Sequence, residues 1–147
     1  MSLLYADTSA VVRSYLPDEP DHDELATLLF DSEHRVITSE LTRVEFASAL
    51  AKARNAGRIR CSRPALARFD ADARSGALTL VPLVPQIVLP AAYRIAADNH
   101  SLRTLDAIHL AVAMHDAHGL TGGEPVTFIT RDQRQAEAGE AHGLEVG

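Results

Sequence analysis

The chain of 147 residues has a single cysteine, Cys61, and a single lysine, Lys52. One cysteine excludes an internal disulfide and leaves no partner thiols for a zinc site. No apolar run approaches the roughly 18 residues that a membrane-spanning helix needs, so no membrane partner is expected. The opening MSLLYADTSA has no basic segment and meets an aspartate at once, unlike a secretory signal, and a cytoplasmic location is expected. There is no internal repeat, low-complexity tract or linker-like stretch, which makes residues 1–147 one expected domain. Charged residues at 23% and hydrophobic residues at 46% exclude a disordered chain.

Acid is also missing from one place. The net charge is −6, which argues against a nucleic-acid partner, yet no Asp or Glu lies between Phe46 and Phe69. Lys52, Arg54, Arg58, Arg60, Arg63 and Arg68 all fall there. The guanidinium fork suits phosphate because it can engage two oxygens at once. Two readings stand: an RNA-guiding stripe centred on Arg54, Arg58, Arg60 and Arg63, or a solvated helix face.

Apolar runs and caps give the order of elements. Leu3 to Ala6 is apolar without alternation, as in a strand buried on both faces of a parallel sheet. Ser9 is expected to cap a short helix, Ala10 to Leu16, stopped by Pro17, and Pro20 to Ser32 reads as a second helix. Arg35 to Thr38 is a strand, after which Ser39 caps a helix from Glu40 to Asn55. Ser62 and Pro64 open a helix that runs to Ser75. Leu78 to Leu83 reads as a strand and Val88 to Asn99 as a helix with Pro90 in its first turn. Leu102 to Gly119 reads as a buried helix capped by Thr104. Val126 to Thr130 is a strand, Asp132 to His142 a helix, and Leu144 to Val146 an edge strand. This alternation predicts an α/β layer sandwich around a mostly parallel sheet.

Ligands of such sheets bind outside the carboxyl ends of the strands. Asp7 follows the first strand and Asp132 follows the Val126 to Thr130 strand, so both belong to that edge. Glu45 shares the apolar stripe of its helix, with Leu41, Thr42, Ser48 and Ala49 as its neighbours one turn away. Asp106 stands in the first turn of a core helix, where it is either a helix-dipole partner or a ligand. His109 reads as a hydrogen-bonded core histidine. Carboxylates gathered in a cleft require a cation or raised pKa values, and oxygen-only ligands select Mg²⁺ or Mn²⁺.

The segments ADTSA, ELTRVEFASALAKA, LRTLDAIHLAVA and FITRDQRQA, in this order and spacing, resemble the PIN-domain ribonucleases. The similarity is greatest to the VapC-type toxins of bacterial type II toxin–antitoxin pairs. The resemblance implies a PIN-like α/β/α sandwich with a central sheet of four or five strands, forming a single nuclease domain. It implies that Asp7, Glu45, Asp106 and Asp132 are the catalytic tetrad binding Mg²⁺ or Mn²⁺, with Thr8 and Thr130 in support. It further implies hydrolysis of RNA, a homodimer, and a VapB-type antitoxin in a toxin–antitoxin hetero-oligomer. Some relatives carry a further acid where this chain has Thr130, which favours a single metal site. Two rival readings are a receiver-type phosphate-transfer domain using Asp7 and a non-catalytic RNA- or protein-binding module. The first is weakened because Asp7-Thr8-Ser9 lacks a second aspartate and Lys52 is the only lysine.

Overall fold

The computed structural model describes residues 2–116 and 121–147. Strands β1 (Leu3–Ala6), β2 (Arg35–Ser39), β3 (Thr79–Val81), β4 (Val126–Ile129) and β5 (Glu145–Val146) form one sheet in the order β3-β2-β1-β4-β5. Every pairing is parallel. Helices α1 (Thr8–Tyr15), α2 (His22–Phe30), α3 (Glu40–Asn55) and α4 (Arg63–Ser75) come from the first half of the chain. Helices α5 (Pro85–Asp98), α6 (Thr104–Ala111) and α7 (Gln133–Ala141) come from the second, and α6 runs on into a π-helical turn, Val112–Asp116.

The central strand explains the two layers. Leu3 and Tyr5 pack with Val88, Ile95, Leu110 and Phe128 on one face. Leu4 and Ala6 pack with Val11, Leu25, Phe46 and Phe69 on the other. Both faces of β1 are therefore covered, which is why its sequence does not alternate. Among the described residues no helix is long and apolar enough to cross a membrane.

Four local expectations are corrected. Asp7, not Ser9, caps the first helix: its backbone is extended and its Oδ1 accepts the Ala10 N–H at 3.1 Å. Ser9 lies inside α1 and donates its hydroxyl back to Asp7 Oδ1 at 2.7 Å. Helix α5 begins at Pro85, which puts Pro90 in its interior. Gln86 and Pro90 are both exposed, so the carbonyl that loses its donor lies on the solvent side. Helix α6 has Arg103 in the cap position with no side-chain cap bond, and Leu105 is 42% exposed, so the helix is not buried all round. Its expected end, Gly119, lies outside the described residues.

The register sets up the carboxyl edge. Ala6 stands opposite Ile129, and the Asp7 N–H donates to the Ile129 carbonyl at 3.0 Å. On the other side the Thr38 hydroxyl donates to the Ala6 carbonyl at 2.6 Å, and Ser39 caps α3. Helices α1, α3 and α7 thus leave neighbouring strands at one edge.

Candidate active site

Two of the predicted acids sit in the turns that lead from strand to helix. Asp7 follows β1 and caps α1; Asp132 lies just beyond β4 and caps α7, its Oδ1 accepting the Gln135 N–H at 3.1 Å. A carboxylate offers about four acceptor sites, so capping leaves capacity for another partner. Thr130 ties the two turns together. Its Oγ1 accepts the Asp132 N–H at 3.0 Å, donates to Gln135 Oε1 at 2.9 Å and lies 3.4 Å from Ser9 Oγ. The fully buried Gln135 then reaches the Asp106 carbonyl on α6 with its Nε2 at 3.4 Å.

Glu45 enters from α3 on a half-buried face. Its Oε1 accepts the Thr8 hydroxyl at 2.8 Å and the His109 Nε2 at 2.5 Å. His109 itself is 1% exposed, and its Nδ1 lies 2.8 Å from the Tyr5 hydroxyl. Thr8, Glu45, Asp106, Lys52 and Arg103 line a cleft of about 410 Å³ between α3 and the start of α6.

Electrostatics distinguishes the acids. Burial pushes the Asp7 carboxyl upward, and His109, Ser9, the Ala10 N–H and Thr130 offset this only in part. Asp106 is also raised, first by burial and then by the negative charges of Asp132 and Asp7. Asp106 therefore lies within range of the charges of both other aspartates. Glu45 goes the other way: burial works upward, but the hydrogen bond and electrostatic pull of His109, with the Thr8 hydroxyl, hold it below the ordinary range.

Among the described residues no three His, Cys, Asp or Glu groups close into a ready-made metal cage. Mg²⁺ keeps several of its waters and is held by one or two carboxylates, so an open edge of repelling carboxylates suits it. The donors are all oxygen, the chemistry of hard cations.

The arginine run is divided by the fold. Arg54 ends α3 and Arg63 begins α4, and both line a shallow depression with Asp70. Arg60 is exposed in the connection. Arg58 is engaged, with Nε 2.7 Å from Asp18 and Nη2 2.7 Å from Glu19, which ties this connection to the turn after α1. Lys52 and Arg103, by contrast, line the cleft with Glu45 and Asp106, and sequence reasoning gave neither a role in the site. It also missed Ser9, Gln135 and Tyr5. A tyrosine in an otherwise aliphatic buried strand was the available signal for the last.

Glu45 and Asp106 thus face a cleft at the carboxyl edge of a five-stranded parallel sheet, with Lys52 and Arg103 beside them, where ligands of such sheets bind. The PIN domain family model matches residues 4–141. Ribonuclease VapC35 of Mycobacterium tuberculosis is 38% identical, with 98% of this chain and 95% of the relative covered. Ribonuclease VapC46 of the same organism is 31% identical over 99% of this chain and 97% of its own length. The chain belongs to the PIN-domain family, among the VapC-type ribonucleases.

The repulsion has a measurable consequence. Raised folded-state pKa values mean that the metal-free fold binds more protons through Asp7 and Asp106 than the unfolded chain does. Their contribution therefore weakens as pH rises above the unfolded value of about 3.9. Glu45 acts oppositely, its contribution being lost as pH falls through its lowered folded value. Asp106→Asn should thus raise the melting temperature in EDTA at pH 7, by about 2–4 °C per kcal/mol of repulsion removed. It should also reduce the upward shift that Mn²⁺ produces. A variant that melts below wild type in EDTA marks Asp106 as a helix-dipole residue instead.

Proposed function

We propose that residues 1–147 form one Mg²⁺- or Mn²⁺-dependent endoribonuclease domain, the cytoplasmic toxin of a VapBC-type pair. The observation that carries this reading is Asp106, held within range of the charges of Asp7 and Asp132 and facing a cleft that Lys52 and Arg103 also line. Asp7, Asp106, Asp132 and Glu45 would hold the ion. When bound, the ion supplies Lewis acidity that activates water and offsets charge on the scissile phosphate. Thr8 keeps Glu45 turned toward the cleft, and Thr130 fixes the turn that presents Asp132. Lys52 and Arg103 attract the RNA backbone, and Arg54, Arg60 and Arg63 extend that path along α3 and α4. Arg58 contributes least, because Asp18 and Glu19 already offset its charge.

The VapB-type antitoxin is proposed to place a cationic side chain beside Asp7, Asp106 and Asp132, favoured by the net charge of −6. Failure of the protein encoded by the adjacent small open reading frame to co-purify would contradict this. A homodimer is supported by large apolar side chains left open on the surface, Tyr93 at 77% and Val44 at 69% exposure. Sedimentation equilibrium that finds only monomer at tens of micromolar, an order-of-magnitude upper range for a specific homodimer, would contradict the dimer.

Cleavage of a structured RNA should require Mg²⁺ or Mn²⁺ and stop in EDTA. Asp7→Asn should abolish it while keeping the fold, since asparagine is an equally good helix cap. Full activity in the well-folded variant removes Asp7 from the site, and cleavage that persists in EDTA contradicts the mechanism.

Salt dependence tests the RNA path. Each phosphate contact contributes about 0.7 to the slope of log K against log[salt] for single strands. Arg54→Ala combined with Arg63→Ala should lower that slope by about 1.4, and Arg58→Ala should leave it unchanged. No change in the double variant would return this stretch to a solvated helix face.

A further inference from the structure

Glu45 is the only one of the predicted acids whose carboxylate is held by side chains from other elements and not by a helix N-terminus. Thr8 comes from α1, His109 from α6, and behind His109 stands Tyr5 from β1. Among the described residues both hydrogen bonds to this carboxylate fall on Oε1, which leaves Oε2 for a ligand in the cleft.

The hydrogen-bond directions follow from donor inventories. An ionised carboxylate only accepts, so the imidazole Nε2 facing it carries the proton. At the other end of the ring, Nδ1 lies 2.8 Å from the Tyr5 hydroxyl. Tyr5 is in turn immobilised: it has no exposed surface, stacks on Phe128 at 5.2 Å and 9°, and meets the His109 ring edgewise at 6.0 Å. Most side-chain hydrogen bonds in proteins go to backbone or water. Here both ring nitrogens meet side chains, Nδ1 the Tyr5 hydroxyl and Nε2 Glu45 and Thr8.

We infer that His109, held between the buried Tyr5 hydroxyl and the Glu45 carboxylate, is the positioning residue that aims Glu45 at the metal. This rests on the reading of Glu45 as a metal ligand. The relay does for a carboxylate what an outer-shell carboxylate does for a ligating histidine: it fixes the orientation of the group that reaches the ion. The Thr8 hydroxyl, 3.2 Å from His109 Nε2 and 2.8 Å from Glu45 Oε1, closes the arrangement from the cleft side.

The test uses Mn²⁺ alone, with the full chain and no RNA, and reads the free ion by electron paramagnetic resonance. His109→Leu removes both bonds and should weaken Mn²⁺ binding about 10- to 100-fold, the usual effect of losing an outer-shell partner. His109→Gln can donate to Glu45 and accept from Tyr5, and should retain most of the wild-type affinity. Tyr5→Phe should fall between them. In a Glu45→Gln background His109→Leu should cost nothing further, a non-additivity that a merely structural histidine would not produce. Nitrogen-15 spectra of the metal-free wild type should show the His109 proton on Nε2, a readout that does not depend on any variant folding. Wild-type affinity in a folded His109→Leu protein, an undiminished penalty in the Glu45→Gln background, or a proton on Nδ1 with Nε2 bare overturns the inference. Should Glu45→Gln bind Mn²⁺ as wild type does, the assignment of Glu45 as ligand fails first and the positioning role falls with it.

Discussion

Everything at the carboxyl edge answers to one constraint: aspartates from separate elements are held within range of each other's charge. Asp106 feels both Asp132 and Asp7, and burial adds to the cost of ionising it. Such a group is stable only while the backbone that carries it cannot move apart. The parallel register supplies that rigidity, because β1 and β4 are locked from Leu3 opposite Val126 to Ala6 opposite Ile129 and end together. The turns that follow have little choice about where Asp7 and Asp132 stand.

The polar side chains around the site have the same purpose. Ser9, which accepts the Arg131 N–H, joins the loops after β1 and β4, and Gln135 joins Thr130 to α6, through buried and half-buried hydrogen bonds. A buried network of this kind is costly if any member is left unpaired, and here each member has a partner. Thr8 and His109 do the corresponding work for Glu45 on the opposite wall. The fold thus contributes stability at its two apolar layers and gives some of it up at the edge, where a divalent cation would restore it.

Much of this was legible in the sequence, and the parts that were not share a cause. Leu3 to Ala6 announced a doubly covered strand by failing to alternate, and Glu45 announced its inward position by sharing a stripe with apolar neighbours. The cap of α1 was misplaced because Asp7 and Ser9 are both good N-caps, and only the backbone shows which residue is extended. Pro90 was placed in a first turn because sequence gives no count of how far upstream a helix started. Lys52 and Arg103 border the cleft from α3 and the entry to α6, separated by about a third of the chain, so no local pattern joins them. Arg58 looked like its neighbours until the turn after α1 brought Asp18 and Glu19 to it. In each case the missing information was tertiary proximity and not residue chemistry.

The central claim is that these carboxylates gather to hold one hard divalent cation. Anomalous diffraction from a crystal grown with Mn²⁺ tests it most directly. The account predicts an anomalous peak in the cleft, with carboxylate oxygens of Asp7, Asp106 or Asp132 bonded to it directly or through its waters. A cleft without anomalous signal, at a Mn²⁺ concentration that raises the melting temperature in solution, would contradict it.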